Sequence, residues 1–325
     1  KKRKLNIDNK EDKKILESIL DNSIVNSKLY VEDNKNLIMF YCLGFLKECI
    51  YYIKEYNSVA ICEYEEDVLN INGIFCDRNF DLDKVINVLM DSKTSKILYS
   101  KNENEKMYPA STTKIMTAIL TIENCNLDDI VTVPYDAIAT IPSGYSIAAL
   151  QTGEQLTVNQ LLQLMMVHSA NDAANVLAFH VAGSLESFAT MMNTKVAELG
   201  LEHTHFLNPS GMHNEDHYTT AYDLAKLMQY CMKNSTFRTI AGLKFCTVPA
   251  TNKYGERIFT STNELLTLVD NRNVASNYYY KYAIAGKTGY TTEAKNCLVS
   301  VSNKDGFELI SVILSVGLYP NNISG

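Results

Sequence analysis

Tyr108-Pro109-Ala110-Ser111-Thr112-Thr113-Lys114 stands just ahead of an apolar periodic run, Ile115, Met116, Ile119 and Leu120. The spacing predicts a helix that begins near Ser111 and turns this run toward a core. A serine at the helix start and a lysine three residues later then share a face, one turn apart. A serine hydroxyl is a weak nucleophile until a neighbour takes its proton, and a lysine does so only where burial and nearby cations depress its pKa. The positive end of the helix dipole beside Ser111 favours the alkoxide. The plain alternative is a capping serine and a surface lysine, since a Ser-x-x-Lys match arises about once by chance in a chain of this length.

Two more motifs lie downstream. Ser169-Ala170-Asn171 follows a run with Leu161, Leu162, Met165 and Met166 at helical spacing. Its hydroxyl could relay a proton to a leaving amine, and its amide could hold a peptide carbonyl. The alternative there is a polar turn. Lys287-Thr288-Gly289 ends an apolar segment read as a strand over 280–287. A cation and a hydroxyl at that point suit a carboxylate, and the glycine lets a peptide backbone lie close. A strand followed by a turn is the plain reading.

Around these motifs, Lys13 to Leu20 and Phe45 to Tyr56 read as helices, and Ser58 to Glu63 with Asp67 to Phe75 as a hairpin. Residues 85–91 and 96–100 read as strands. Helices follow at 157–166, 172–182 and 185–199, the last entered by Ser184 and stopped by Gly200. Thr220 caps a helix ending near Lys233, and strands return at 297–302 and 308–316. Strands at both ends with helices between them predict a sheet assembled from chain-distant pieces around a helical insert.

In this order the three motifs form the Ser-x-x-Lys, Ser-x-Asn, Lys-Thr-Gly set of penicillin-binding enzymes and active-site-serine β-lactamases. From about Val85 onward the chain resembles the serine D-Ala-D-Ala carboxypeptidases, the low-molecular-mass penicillin-binding proteins. The likeness takes in Leu89-Met90-Asp91, Gly153-Glu154, Asn171-Asp172-Ala173-Ala174, Asn208-Pro209-Ser210-Gly211, His217-Tyr218-Thr219-Thr220-Ala221 and Gly286-Lys287-Thr288-Gly289-Tyr290-Thr291. It implies an α/β (α+β) fold, an antiparallel sheet flanked by helices with a helical subdomain. It implies that Ser111 attacks the carbonyl between two D-alanines while Lys114 accepts its proton. Ser169 would then protonate the departing D-alanine, Asn171 would hold the peptide, and Lys287 and Thr288 would bind the terminal carboxylate. The N–H groups of Ser111 and Tyr290 would form the oxyanion hole, and Gly289 would let the substrate backbone lie close against the strand. The implied substrate is the peptidoglycan pentapeptide ending in D-Ala-D-Ala, β-lactams would acylate Ser111, and the setting would be the cell envelope. No metal and no cofactor is implied.

Composition agrees with a globular protein: 46% hydrophobic and 21% charged residues over 325 positions. The net charge of -7 argues against a nucleic-acid partner, which needs a concentrated cationic face. The eight cysteines include no Cys-x-x-Cys pair and read as buried free thiols. The apolar run 37–46 is too short to span a bilayer, and no secretory signal or membrane anchor is read in the chain. His203-x-His205 and His213 with His217 have spacings that could bind zinc but lack a third ligand, which favours structural roles. A class A β-lactamase is the enzymatic rival. It would need a glutamate where Thr204 precedes Leu207-Asn208, and Ala170 also leans toward the carboxypeptidases. A penicillin-binding sensor with slow turnover is the rival from another class.

Three departures from the family stand out. Residues 1–84 do not resemble its usual leader and first helix; Val59 to Asp67 bears a faint likeness to the sheet of GNAT-type acetyltransferases, without their phosphate loop. The chain stops at Gly325, where family members continue into a covering helix and often a β-rich domain and amphipathic tail. An uncovered sheet face and marginal stability are therefore expected unless the N-terminal helices take that helix's place. Lys295 stands where the family has glycine, and an extra cation there is expected to perturb the turn and weaken substrate fit.

Overall fold

The computed structural model describes residues 2–6, 8–22, 24–27, 50–53, 58–65, 68–76, 86–268 and 278–316. The chain divides into two compact units, Lys1–Lys84 and Val85–Gly325.

The first unit contains β1 (Lys2–Lys4), α1 (Lys10–Asn22), β2 (Ile24–Ser27), β3 (Ile50–Ile53), β4 (Ser58–Glu65) and β5 (Val68–Cys76). Its strands form one sheet in the order β1-β3-β4-β5-β2, every pair antiparallel. Asn9 caps α1 by accepting the Glu11 N–H at 2.8 Å, and Leu16, Ile19 and Leu20 are buried at helical spacing. The segment 45–56, read from sequence as a helix, instead supplies β3. Ile50, Tyr51, Tyr52 and Ile53 are β-branched or aromatic, and they pair with Ile61 to Ser58 of β4. Tertiary pairing thus decides a short apolar run whose periodicity fits either element. The rest of that helix lies outside the described residues.

The second unit is built on an antiparallel sheet ordered β12-β13-β14-β6-β7: Ala283–Thr291, Lys295–Lys304, Phe307–Val316, Ile86–Asp91 and Ile97–Lys101. Its N-terminal pair and its C-terminal triple meet where Leu309 to Leu314 face Asp91 to Ile86. Between these chain ends lie α2 (Lys114–Asn124), β8 (Ile130–Thr132), α3 (Tyr135–Ile138), β9 (Gln155–Thr157), α4 (Val158–Val167), α5 (Asn171–Ala182), α6 (Leu185–Glu198), α7 (Ala221–Cys231), α8 (Ser235–Ala241), β10 (Phe245–Val248) and β11 (Arg257–Thr260). The architecture is the mixed antiparallel sheet with flanking helices that the motifs implied.

The caps explain why the helices start where they do. Thr157 and Gln160 form a reciprocal capping box on α4, while Ser184, Thr220 and Asn234 each accept an N–H in the first turn of α6, α7 and α8. Helix α2 is central: every residue from Lys114 to Thr121 is buried, and α4, α5, α6, α7 and α8 all pack on it. A helix apolar on most of its circumference belongs inside a helical layer. Helix α7 packs on β14 and β6, α8 on β12, and the 3-10 turn Ala110–Thr113 on β12 and β13. That last contact joins the helical layer to the sheet edge at Ser111.

One expectation shifts along the chain. Strand β12 begins at Ala283 and runs on to Thr291, so Lys287-Thr288-Gly289 lies inside the strand rather than at its end. Polar Lys287 and Thr288 keep their backbone pairing to Val299 and Leu298. Helix α8 and the ribbon β10–β11 lack a strong period and were not anticipated.

Candidate active site

Ser111 sits in the 3-10 turn that leads into α2. The preceding Ala110 has φ of 47°, a left-handed value that is uncommon for a residue with a Cβ. The strain is held from outside. Gly211 (φ 84°) lies so close that a Cβ there would come within 1.8 Å of the Ala110 carbonyl oxygen. Local strain at a nucleophile is a recurring feature of active sites.

Lys114, the first residue of α2, is fully buried. Its Nζ lies 2.8 Å from Ser111 Oγ, 2.6 Å from Asn171 Oδ1 and 2.7 Å from the Ser210 carbonyl oxygen. Burial holds its pKa well below the ordinary lysine value; the Lys287 cation lowers it further and the Asp172 carboxylate opposes. A depressed lysine at hydrogen-bond distance from a serine hydroxyl is a base poised on a nucleophile.

Ser169 also adopts a left-handed φ, 62°, at the turn between α4 and α5. Its Oγ accepts from Lys287 Nζ at 3.0 Å, and Lys287 donates again to the Thr288 carbonyl at 2.9 Å. Burial pushes Lys287 down to about 7. Thr288 Oγ1 shares a 2.6 Å hydrogen bond with Thr262 Oγ1. A Cβ on Gly289 would stand 3.0 Å from both the Pro109 carbonyl oxygen and Ser111 N, so this strand passes close against the turn that carries Ser111. Tyr290 is 60% exposed at the mouth.

Ser111, Ser169, Asn171, Thr288, Gly289 and Tyr290 line one cleft of about 910 Å³, with Lys114 and Lys287 buried beneath its floor. All eight residues singled out in the sequence are thus brought together from three separate stretches of chain. Several others were missed. The Ser210 carbonyl is invisible to any side-chain motif, although Asn208 to Gly211 was part of the family likeness. Thr262 carries no motif signal. Asp172 shows its part only in three dimensions, where it accepts the Ala148 and Leu150 N–H groups at 2.9 and 3.0 Å and so holds the segment that follows the cleft-lining Ser146.

Three of the histidines meet neighbouring groups of the fold. His205 Nδ1 is 2.6 Å from the Asp216 carbonyl oxygen, and the His213 ring packs edge-on against Tyr108. His217 Nδ1 accepts the Leu207 N–H at 3.1 Å, and its Nε2 meets Thr113 Oγ1 at 2.9 Å. Thr204, where a class A β-lactamase would need glutamate, is buried and hydrogen-bonded to Asp223 and Thr219. Lys295 has φ of 59° at the close of the β12–β13 hairpin, a conformation that accounts for the family's glycine there.

The family model described as D-alanyl-D-alanine carboxypeptidase matches residues 78–317. The D-alanyl-D-alanine carboxypeptidase DacF of Bacillus subtilis is 34% identical over 230 residues, covering 70% of this chain and 56% of the relative. A D-alanyl-D-alanine carboxypeptidase of a Streptomyces strain is 37% identical over 238 residues, covering 70% of this chain and 78% of the relative. The chain therefore spans little more than half the length of the Bacillus relative and over three quarters of the Streptomyces one. Among solved structures, a Mycobacterium tuberculosis D-alanyl-D-alanine carboxypeptidase superposes with a TM-score of 0.63 at 28% identity, over 72% of this chain and 83% of the other. A Streptomyces DD-transpeptidase superposes with a TM-score of 0.64 at 34% identity, over 71% and 89%. The ordered motifs, the shared architecture and the family match agree: this chain belongs to the D-alanyl-D-alanine carboxypeptidase family.

Proposed function

We propose that this chain removes the terminal D-alanine from peptidoglycan stem peptides through an acyl-enzyme on Ser111, and that β-lactams form the same bond. The observation that carries the reading is the fully buried Lys114 with Nζ 2.8 Å from Ser111 Oγ.

Neutral Lys114 takes the Ser111 proton as Oγ adds to the carbonyl between the two D-alanines. The oxyanion is met by the N–H groups of Ser111 and Tyr290, which the close approach of β12 to the turn supports. The C–N bond breaks as Ser169, seated on Lys287, relays the proton taken up by Lys114 to the departing amine, which leaves Lys114 neutral and the Ser169 hydroxyl intact. Protonated Lys287 with Thr288 receives the substrate's terminal carboxylate, and Asn171 orients the peptide while anchoring Lys114. Water then adds to the ester and restores the Ser111 hydroxyl. A β-lactam presents a carboxylate and a strained amide to the same groups. The cell envelope, where this substrate resides, is the proposed site of action; among the described residues no helix is long and apolar enough to cross a membrane.

The test is intact-mass and peptide-mass analysis after benzylpenicillin, alongside D-alanine release from a diacetyl-Lys-D-Ala-D-Ala peptide. One adduct on the Ser111 peptide, absent from Ser111→Ala, together with D-alanine release is the expected result. An adduct without release would replace the carboxypeptidase with a slow sensor. No adduct would overturn the reading altogether.

A further inference from the structure

The Ser210 carbonyl takes part in the base without belonging to any motif. A neutral lysine amine has two N–H donors and one lone pair. Asn171 Oδ1 at 2.6 Å and the Ser210 carbonyl at 2.7 Å are the two acceptors, so occupying both leaves the lone pair directed at Ser111 Oγ. The aim of the base therefore depends on where the Ser210 carbonyl points.

That direction is set by Asn208. Its Oδ1 accepts from Ser210 N at 3.2 Å, Ser210 Oγ at 3.2 Å, Gly211 N at 2.8 Å and Met212 N at 3.0 Å. Its Nδ2 donates to the Met212 carbonyl at 2.9 Å, closing the loop on itself. One carboxamide thus gathers three successive backbone N–H groups and turns the Ser210 carbonyl outward to Lys114. The loop is fastened at two more points: Thr117 Oγ1 of α2 donates to the Pro209 carbonyl at 2.6 Å, and His217 bridges Leu207 N to Thr113 in the 3-10 turn. Asn208 contacts neither Ser111 nor Lys114 through any of these bonds.

We propose that Asn208 is a positioning residue for the general base, gathering the 210–212 amides so that the Ser210 carbonyl fixes the Lys114 lone pair on Ser111. This rests on the reading of Ser111 and Lys114 as nucleophile and base. The role separates turning Lys114 toward Ser111 from binding the substrate, which meets other walls of the cleft. Loss of Asn208 should therefore slow acylation and leave the preceding encounter complex intact. Misaiming a reacting group by about 1 Å is enough for roughly a hundredfold loss.

The experiment is stopped-flow acylation by a fluorescent penicillin, resolving the dissociation constant of the encounter complex from the acylation rate constant. It compares the wild-type chain with Asn208→Asp, Asn208→Ser and Asn208→Ala, normalised to the titratable fraction of each. Aspartate keeps the acceptor oxygen, serine offers a shorter one and alanine none. The expected order of acylation rate constants is wild type, Asp, Ser, Ala, falling about tenfold to a hundredfold in total, with the dissociation constant within about twofold. Should Ala fail to fold, the Ser variant carries the same comparison. Equal rate constants across the folded variants would overturn the role, as would a loss confined to the dissociation constant. A wild-type chain that takes no label would instead defeat the underlying functional reading.

Discussion

At the scale of single residues, the two buried lysines are asked for opposite protonation states. In the proposed mechanism Lys114 is a neutral base, so acylation should rise with pH through its depressed pKa. The same mechanism needs Lys287 as a cation for the substrate carboxylate, and burial leaves it near 7, so the productive fraction should fall above that value. The profile of kcat/KM for a D-Ala-D-Ala peptide is therefore expected to be bell-shaped, with its alkaline limb beginning near pH 7. A bound carboxylate favours charged Lys287, so the limb of kcat should lie higher than that of kcat/KM. Lys287→Arg should move the alkaline limb up by more than about one unit, because guanidinium does not titrate there; an unmoved limb would assign it elsewhere. Lys295 offers a second test. A lysine at φ 59° carries about 1 kcal/mol of backbone strain that glycine does not. Lys295→Gly should raise the melting temperature of this unit by about 2–4 °C. An unchanged melt would mean that the hairpin relaxes around the lysine.

Among elements, the site exists because β12 and the 3-10 turn approach without a side chain between them. Gly289→Ala would insert a methyl 3.0 Å from Ser111 N and Pro109 O, and pushing strand from turn should widen the oxyanion hole. Acylation is expected to fall by about a hundredfold, with a melt within a few degrees of wild type. A variant acylated at the wild-type rate would show that Ser111 N–H plays no part. The Asn208 loop carries its own pH dependence. Burial and the neighbouring His205 and His213 push His217 down to about 3, and its Nδ1 already accepts the Leu207 N–H. Between roughly pH 6.5 and 3 the unfolded chain binds the extra proton, so stability should drop as pH falls through that window. His217→Asn should flatten this decline in urea titrations from pH 7 to 4. Much of this was legible in the sequence because the caps are local chemistry: Thr157, Ser184 and Thr220 mark helix starts on their own. The 45–56 segment misled because a short run of Ile and Tyr fits either period until β4 claims it. Asn208 and Ser210 were quoted without roles because a backbone carbonyl leaves no trace in residue identity.

For the whole molecule, the floor of the cleft opposes the fold that contains it. The second unit draws its stability from one continuous core spanning α2, α4, α5, α7 and the sheet, and into that core it inserts two fully buried amines. Their native contacts are hydrogen bonds to neutral oxygens, namely Ser111, Asn171 and Ser210 for Lys114 and Ser169 and Thr288 for Lys287. Such bonds do not restore what an ammonium loses on leaving water. The sign follows from proton counts. In the unfolded chain Lys287 titrates near the ordinary lysine value of about 10.4, whereas in the folded chain it titrates near 7. Between these values the unfolded state holds more protons, so stability rises with pH across that window, and below about 7 the full penalty applies. Lys287→Met fills the same channel with an apolar chain of similar length and removes the titration. At pH 7 this variant should melt several degrees above wild type, on the order of 5 °C, while losing nearly all turnover of carboxylate-bearing peptides. Repeating the melts at pH 9.5 should shrink the gap, because wild-type Lys287 is then neutral in the fold. Equal gaps at both pH values would show that the gain comes from packing alone and that the buried amine exacts no electrostatic penalty.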